Sequence, residues 1–178
     1  MGGRVGGRTV GAGDGIDLRN LLGELADGPR RATARLAAAF ARQGATLYLV
    51  GGAVRDLVLG RAVLDLDFAT DAEPSRIRAA VAAAGASAIH SANERFATVG
   101  LELEGEAIEI TTFRGDPRGG LHADLAARDF TINAMAVVVA GAPDEAPGAL
   151  IDPFDGRGDL LRRTIAGVAD PHARLADD

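Results

Sequence analysis

Two aspartates separated by one leucine, Asp65-Leu66-Asp67, bear most directly on chemistry. In a strand, residues two apart share a face, so both carboxylates project together while Leu66 packs on the other side. Carboxylates held a few ångströms apart repel, and a divalent cation is the usual way to stabilise them. Asp-x-Asp also arises at solvated strand edges, so the surroundings matter. Asp65 lies nine residues after Asp56, which closes the stretch Leu49-Val50-Gly51-Gly52-Ala53-Val54-Arg55-Asp56. Paired glycines between a strand and a helix let backbone N–H groups approach an anion, and Arg55, one turn in, can close on the same anion. The plainer reading is a turn that merely needs glycine. Metal ligands beside a phosphate cradle are nevertheless the layout that phosphoryl transfer requires.

Two further groups join these. Glu109, between Ile108 and Ile110, faces the opposite side of its strand from them, together with Thr111. It is a solvent-facing glutamate unless its strand pairs beside the aspartate strand, where a third acid can serve as metal ligand or base. In Asp124 to Ala134, Arg128 can bind phosphate, and Asp129 and Asn133 can hydrogen-bond ribose hydroxyls or phosphates; as a bare helix surface, an Arg–Asp pair there contributes little. His90, His122 and His172 stand apart in the sequence and read as surface or packing residues, and the Arg30-Arg31 and Arg162-Arg163 pairs as solvated faces.

The elements that must position these groups follow from periodicity. Leucines and Phe40 at helical spacing over 17–43 predict two helices broken at Gly28-Pro29, the second ended by Gly44. Leu47–Val50 reads as a buried strand, Val54–Leu59 as a short helix, and Leu64–Ala69 as a strand with one polar face. Pro74 opens a helix that runs to Gly85. Thr98–Glu104 and Glu106–Arg114 form a hairpin about Gly105. Beyond a loop over 115–120, Asp124 to Thr131 reads as helix and Ile132 to Ala140 as strand. Short strands follow at 150–152 and 164–168, with a helical turn over 159–163 and a helix from Pro171. A hairpin among central strands implies one α/β-type domain with a mixed sheet flanked by helices, not a regular βαβ series.

Composition bounds the possibilities. The 178 residues carry a formal charge of −6, with 19 basic residues, all arginine, against 25 acidic ones. There is no cysteine, hence no disulfide framework and no Cys-ligated metal centre. Residues 1–15 are Gly-rich, lack an apolar signal-peptide core and are expected to be a flexible tail. No apolar stretch is long enough for a membrane span, so a cytoplasmic protein is expected. The acidic balance argues against a broad nucleic-acid footprint on this chain.

Taken in order, LVGGAVRDLVLG (49–60), DLDFAT (65–70), EITTFRGD (109–116), DLAARDFTINAMA (124–136), IDPFDGRGDL (151–160) and DPHARLADD (170–178) resemble the class II tRNA nucleotidyltransferase (CCA-adding enzyme) and bacterial poly(A) polymerase family. The resemblance implies a polymerase-β-like nucleotidyltransferase head domain over residues 16–178, ending at the start of a neck. It implies that Asp65 and Asp67 hold Mg²⁺, for which Mn²⁺ can substitute, with Glu109 the third catalytic acid. Gly51, Gly52, Arg55 and Arg128 then contact the triphosphate, Asp129 the ribose, Asn133 a further phosphate, and Asp178 the incoming base. The implied reaction adds CMP and AMP, from CTP and ATP, to the 3′ end of tRNA and releases pyrophosphate. A poly(A) polymerase, a CC-only or an A-only enzyme shares the same head. Three departures stand out: Ala127 where the family has arginine, a short segment between Arg114 and Asp124, and an end at Asp178 before the helical segments expected to grip tRNA. They also admit a non-catalytic nucleotide-binding module of the same fold.

Overall fold

The run Leu47-Tyr48-Leu49-Val50 is buried at every position, as expected for a strand covered on both faces. It is β1, at the heart of a seven-stranded sheet ordered β3-β4-β5-β2-β1-β6-β7. The computed structural model describes residues 16–93 and 97–168. Its elements are α1 (Asp27–Arg42), β1 (Leu47–Val50), α2 (Gly52–Val58), β2 (Leu66–Thr70), α3 (Pro74–Ala83), β3 (Ala88–Asn93), β4 (Thr98–Leu103), β5 (Glu106–Thr112), α4 (Gly120–Ala126), β6 (Ala136–Ala140), β7 (Leu150–Ile151) and α5 (Gly156–Arg162). The β2–β5 pairing is parallel and the other pairings are antiparallel, so the sheet is mixed, as the central hairpin implied.

One face of the sheet carries the main core. Leu47, Leu49, Leu66, Phe68, Leu101, Ile108, Ile110 and Val137 meet Leu36 and Phe40 of α1, Ile77 and Val81 of α3, and Val54 and Leu57 of α2. On the opposite face Tyr48, Val50, Ala69, Ala134, Ala136 and Val138 pack with Leu125 of α4. Further along β2, β5 and β4, past the buried row Ala69–Thr111–Thr98, the polar residues Asp67, Glu109 and Glu102 emerge exposed on this face. Among the described residues no helix is long and apolar enough to cross a membrane.

Several boundaries differ from the sequence expectation. Gly28-Pro29 does not divide two helices: α1 begins at Asp27, where proline costs nothing because a first-turn N–H has no intrahelical partner. The break lies at Leu25 and Ala26, both extended, and the preceding segment is only a 3₁₀ turn over Leu21–Glu24. Strand β3 was not expected at all; its exposed Ala88, Ile89 and His90 give no alternation to read. The helix expected over 124–131 is shifted upstream to α4, and Thr131–Asn133 forms a 3₁₀ turn ahead of β6. The strand expected over 164–168 contributes a single bridge, Gly167 to Phe130. The hairpin turn is as expected, with Glu104 and Gly105 at φ 56° and 83°, the two positive values that a two-residue primed turn requires. The Gly-rich tail, the helix from Pro171 and Asp178 lie outside the described residues.

Candidate active site

Strands β2 and β5 run in register, with Asp67 opposite Glu109 and Phe68 opposite Ile110. The pleat sends Phe68 and Ile110 into the main core and leaves Asp67 and Glu109 exposed on the opposite face. Asp65 sits just ahead of β2, with Leu66 buried between the two aspartates. All three carboxylates line one cleft of about 380 Å³. Neighbouring strands lie about 4.8 Å apart, and the crowding is felt. Burial first, then the negative charge of Glu109, push the Asp67 carboxyl above its ordinary range; Arg128 opposes this, Asp65 adds to it and Arg114 opposes it.

The positive half of the site is built from the β1–α2 turn and the segment after α4. Gly51 holds φ at 71°, in the left-handed region that favours glycine. A Cβ there would lie 3.0 Å from Nη1 of Arg128 and 4.0 Å from Oδ2 of Asp67, so the arginine, the turn and the aspartate meet at one point. Arg128 is fixed from behind. Its Nε and Nη2 donate to Oδ2 of Asp124 at 3.3 and 3.0 Å, and Asp124 Oδ1 accepts the backbone N–H of Arg114 at 3.0 Å. Asp124 is 1% exposed. The guanidinium of Arg55 lies over Gly52, donates to its neighbour Asp56 and reaches Asn133 Oδ1 at 3.0 Å.

The structure therefore brings Asp65, Asp67 and Glu109 to one cleft, sets Gly51 and Arg128 beside them, and joins Gly52, Arg55 and Asn133 on the adjoining turn. Asp129 is exposed, and its backbone carbonyl accepts from Val168. Three residues had no role in the sequence reading. Arg114 lines a smaller hollow of about 90 Å³ with Val50, Asp67, Glu109, Thr111 and Arg128; its place just past β5, beside Glu109, was the available signal. Asp124 is a positioning residue whose burial no spacing announces. His90 lines the large cleft, whereas His122 packs against the ring of Phe154.

The carboxylate oxygens are hard donors of the kind Mg²⁺ takes, and a cation there would offset the burial and, after it, the Glu109 charge that raise the Asp67 carboxyl. No group of three or more His, Asp or Glu among the described residues closes on one point as a complete metal cage.

Known relatives and solved structures share the sequence and the fold. The chain is 39% identical over 135 residues to the CC-adding tRNA nucleotidyltransferase of Halalkalibacterium halodurans, covering 76% of this chain and 32% of that protein. A CCA-adding enzyme in complex with ATP superposes with a TM-score of 0.72 at 30% identity, over 84% of this chain and 35% of that one. The Thermotoga maritima CCA-adding enzyme complexed with tRNA gives 0.71 at 32% identity, again over 84% and 35%. The chain thus spans about a third of the length of the proteins it matches. The family model described as the Poly A polymerase head domain matches residues 47–166, from β1 through the two carboxylate strands to the end of the Asp129–Asn133 segment and α5. The chain belongs to this family.

Proposed function

We propose that the chain is the catalytic head of a template-independent RNA nucleotidyltransferase that adds CMP and AMP to the 3′ end of tRNA. The observation that carries this reading is the register of Asp67 and Glu109 beside the Gly51–Arg128 contact, which sets acids and phosphate-binding groups side by side. Asp65 and Asp67 would hold Mg²⁺, or Mn²⁺ in its place, with Glu109 as third acid. Bound there, the ion would make the acceptor hydroxyl more acidic and neutralise charge on the triphosphate. Arg128, braced by Asp124, and Arg55, braced by Asp56 and Asn133, receive the triphosphate of CTP or ATP at fixed positions, which is where electrostatic preorganisation comes from. Asp129 serves the ribose, Asn133 a phosphate by way of Arg55, and Asp178 the base. The acceptor 3′ oxygen bonds to the α-phosphorus as the bond to the bridging oxygen breaks and pyrophosphate leaves in line.

Residues 16–178 form the head up to the start of a neck, and tRNA is gripped mainly by segments beyond it. That division accounts for a charge of −6 on a chain with an RNA substrate: part of the acidity belongs to the metal site. The site is internal to the cell in this reading, where nucleoside triphosphates are available. The names of the relatives cover both CC and CCA addition, and a poly(A) polymerase shares the head.

Extension of a tRNA transcript lacking its CCA end, with labelled CTP and ATP, tests the proposal. Products one, two or three nucleotides longer separate the adding enzymes from one another, and a long adenylate ladder identifies a poly(A) polymerase. No extension under any nucleotide, with CTP still bound, would leave the chain a nucleotide-binding module.

A further inference from the structure

The cleft above the carboxylates continues past them, across β5 and β4 to β3. His90 pairs with Gly100, Gly100 with Glu109, and Glu109 with Asp67. Directly paired residues share a sheet face, so these four residues make one row across four strands. The gap in the row is filled by its neighbour. A Cβ on Gly100 would collide with Nε2, Cδ2 and Cε1 of His90, so the imidazole lies across β4 while still lining the cleft.

The chemistry of the lining is lopsided. Its other polar side chains are Asp65, Asp67, Glu102 and Glu109, and carboxylates accept hydrogen bonds without donating them. The hydroxyls of a ribose can donate to those acids; among the described residues that line this cleft, the side-chain N–H offered to a phosphodiester oxygen is that of His90. The two sides of the row also differ in charge. The Arg128–Gly51 contact lies on the β1 side of Asp67, whereas His90 lies at the β3 end. Attack and departure in phosphoryl transfer are roughly in line. With the triphosphate on the β1 side, the attacking hydroxyl arrives from the β4–β3 side.

We infer that His90 is an acceptor-side binding residue, its imidazole N–H donating to a phosphodiester oxygen of the RNA 3′-terminal nucleotide, with Gly100 kept small to seat the ring. The inference rests on the transferase reading above and adds to it the place and partner of the acceptor strand.

The test follows the histidine ring resonances by NMR, with His90→Gln assigning the peak, while the dinucleotide cytidylyl-cytidine and, separately, CTP are added. The His90 resonance is expected to move with the dinucleotide and to stay in place with CTP. A resonance that ignores the dinucleotide, or moves equally with CTP, overturns the inference. Gly100→Ala is the second variant. Its φ is not in the left-handed region and the three atoms nearest the new methyl all belong to His90, so the ring is displaced, and the dinucleotide response is expected to shrink. In extension assays, His90→Ala and Gly100→Ala are each expected to raise KM for the tRNA acceptor about tenfold, the loss of one hydrogen bond to a charged group, with KM for CTP unchanged. The double variant is expected to be no worse than either single one. A rise in KM for CTP, or additive effects in the double variant, would overturn the assignment. The resonance measurement needs no turnover, so it decides for or against His90 even where extension fails and takes the transferase reading with it.

Discussion

Arg55 and Asn133, 78 residues apart in the chain, meet through a 3.0 Å hydrogen bond from Nη1 to Oδ1. The bond fastens the first turns of α2 to the 3₁₀ turn at 131–133 and so fixes where the guanidinium stands above Gly52. Truncating Asn133 leaves Arg55 its contact with Asp56 but removes the restraint from the opposite side. Asn133→Ala is expected to raise KM for CTP and ATP about tenfold, as loss of one charge-assisted hydrogen bond implies, with little change in stability. Steady-state extension kinetics would show this. An unchanged KM would mean that Arg55 is placed by Asp56 alone.

Asp124 does two things with one buried carboxylate: it pairs with Arg128 and accepts the N–H of Arg114. Removing one partner from a pair in which Asp124 is 1% and Arg128 14% exposed leaves the other charge uncompensated. Asp124→Ala is expected to cost about 3 kcal/mol of unfolding free energy, read from urea denaturation, and to lower extension activity because both arginines lose their bearings. Arg114→Ala, by contrast, is expected to leave stability within about 0.5 kcal/mol, since its side chain is exposed, while raising KM for the nucleotide.

Much of this site could be read from residue order, because its parts are local patterns. Asp65-Leu66-Asp67 and Gly51-Gly52 declare themselves through strand alternation and a strand–turn–helix junction. What could not be read is pairing. Nothing within β5 says that Glu109 stands opposite Asp67; this depends on a parallel crossover through α3, β3 and β4. Asp124 was invisible for the same reason, since its partners are fixed by the packing of α4 rather than by its own neighbours. The misplacement at Gly28-Pro29 has another origin: proline stops a helix in the interior but is harmless in the first turn, and only the backbone shows which applies. His90 stands apart in the sequence, since its partner Gly100 lies on the next strand.

The carboxylate crowding at Asp67 predicts a conflict between stability and function. Burial and then Glu109 hold its pKa above the ordinary Asp range. A folded-state pKa above the unfolded one favours the fold at low pH, and the advantage is lost as pH rises through the raised value. Metal-free Asp67→Asn is therefore expected to melt at a higher temperature than the unsubstituted chain at pH 7, with the gap closing toward about pH 3. Added Mg²⁺ should raise the melting temperature of the unsubstituted chain and leave that of the variant unmoved. Extension by the variant should fall by at least about a thousandfold, as loss of a group essential to the chemistry implies. Thermal scans with and without the ion would test the first two statements, and a variant less stable at pH 7 would refute them.

The opposite sign holds at Asp159, which ties α5 to the turn carrying Asn133. Its carboxylate accepts from the Thr131 hydroxyl at 2.6 Å and from Arg162 at 2.8 Å, and the two bonds, Thr131 first, lower its pKa below the usual value. A depressed folded-state pKa gives stability that is present above the unfolded pKa and lost as pH falls through the folded one. Asp159→Asn is expected to be less stable than the unsubstituted chain at neutral pH, with the difference shrinking as pH falls below the ordinary Asp pKa of about 3.9 and on through the depressed folded-state value. Because Thr131 begins the turn that ends at Asn133, the variant should also raise KM for nucleotide at neutral pH while leaving KM for the tRNA acceptor alone. Urea titrations across the acid range, paired with extension kinetics, check both parts. A stability difference that does not shrink as pH falls would trace the effect to lost packing instead of to the ionised carboxylate.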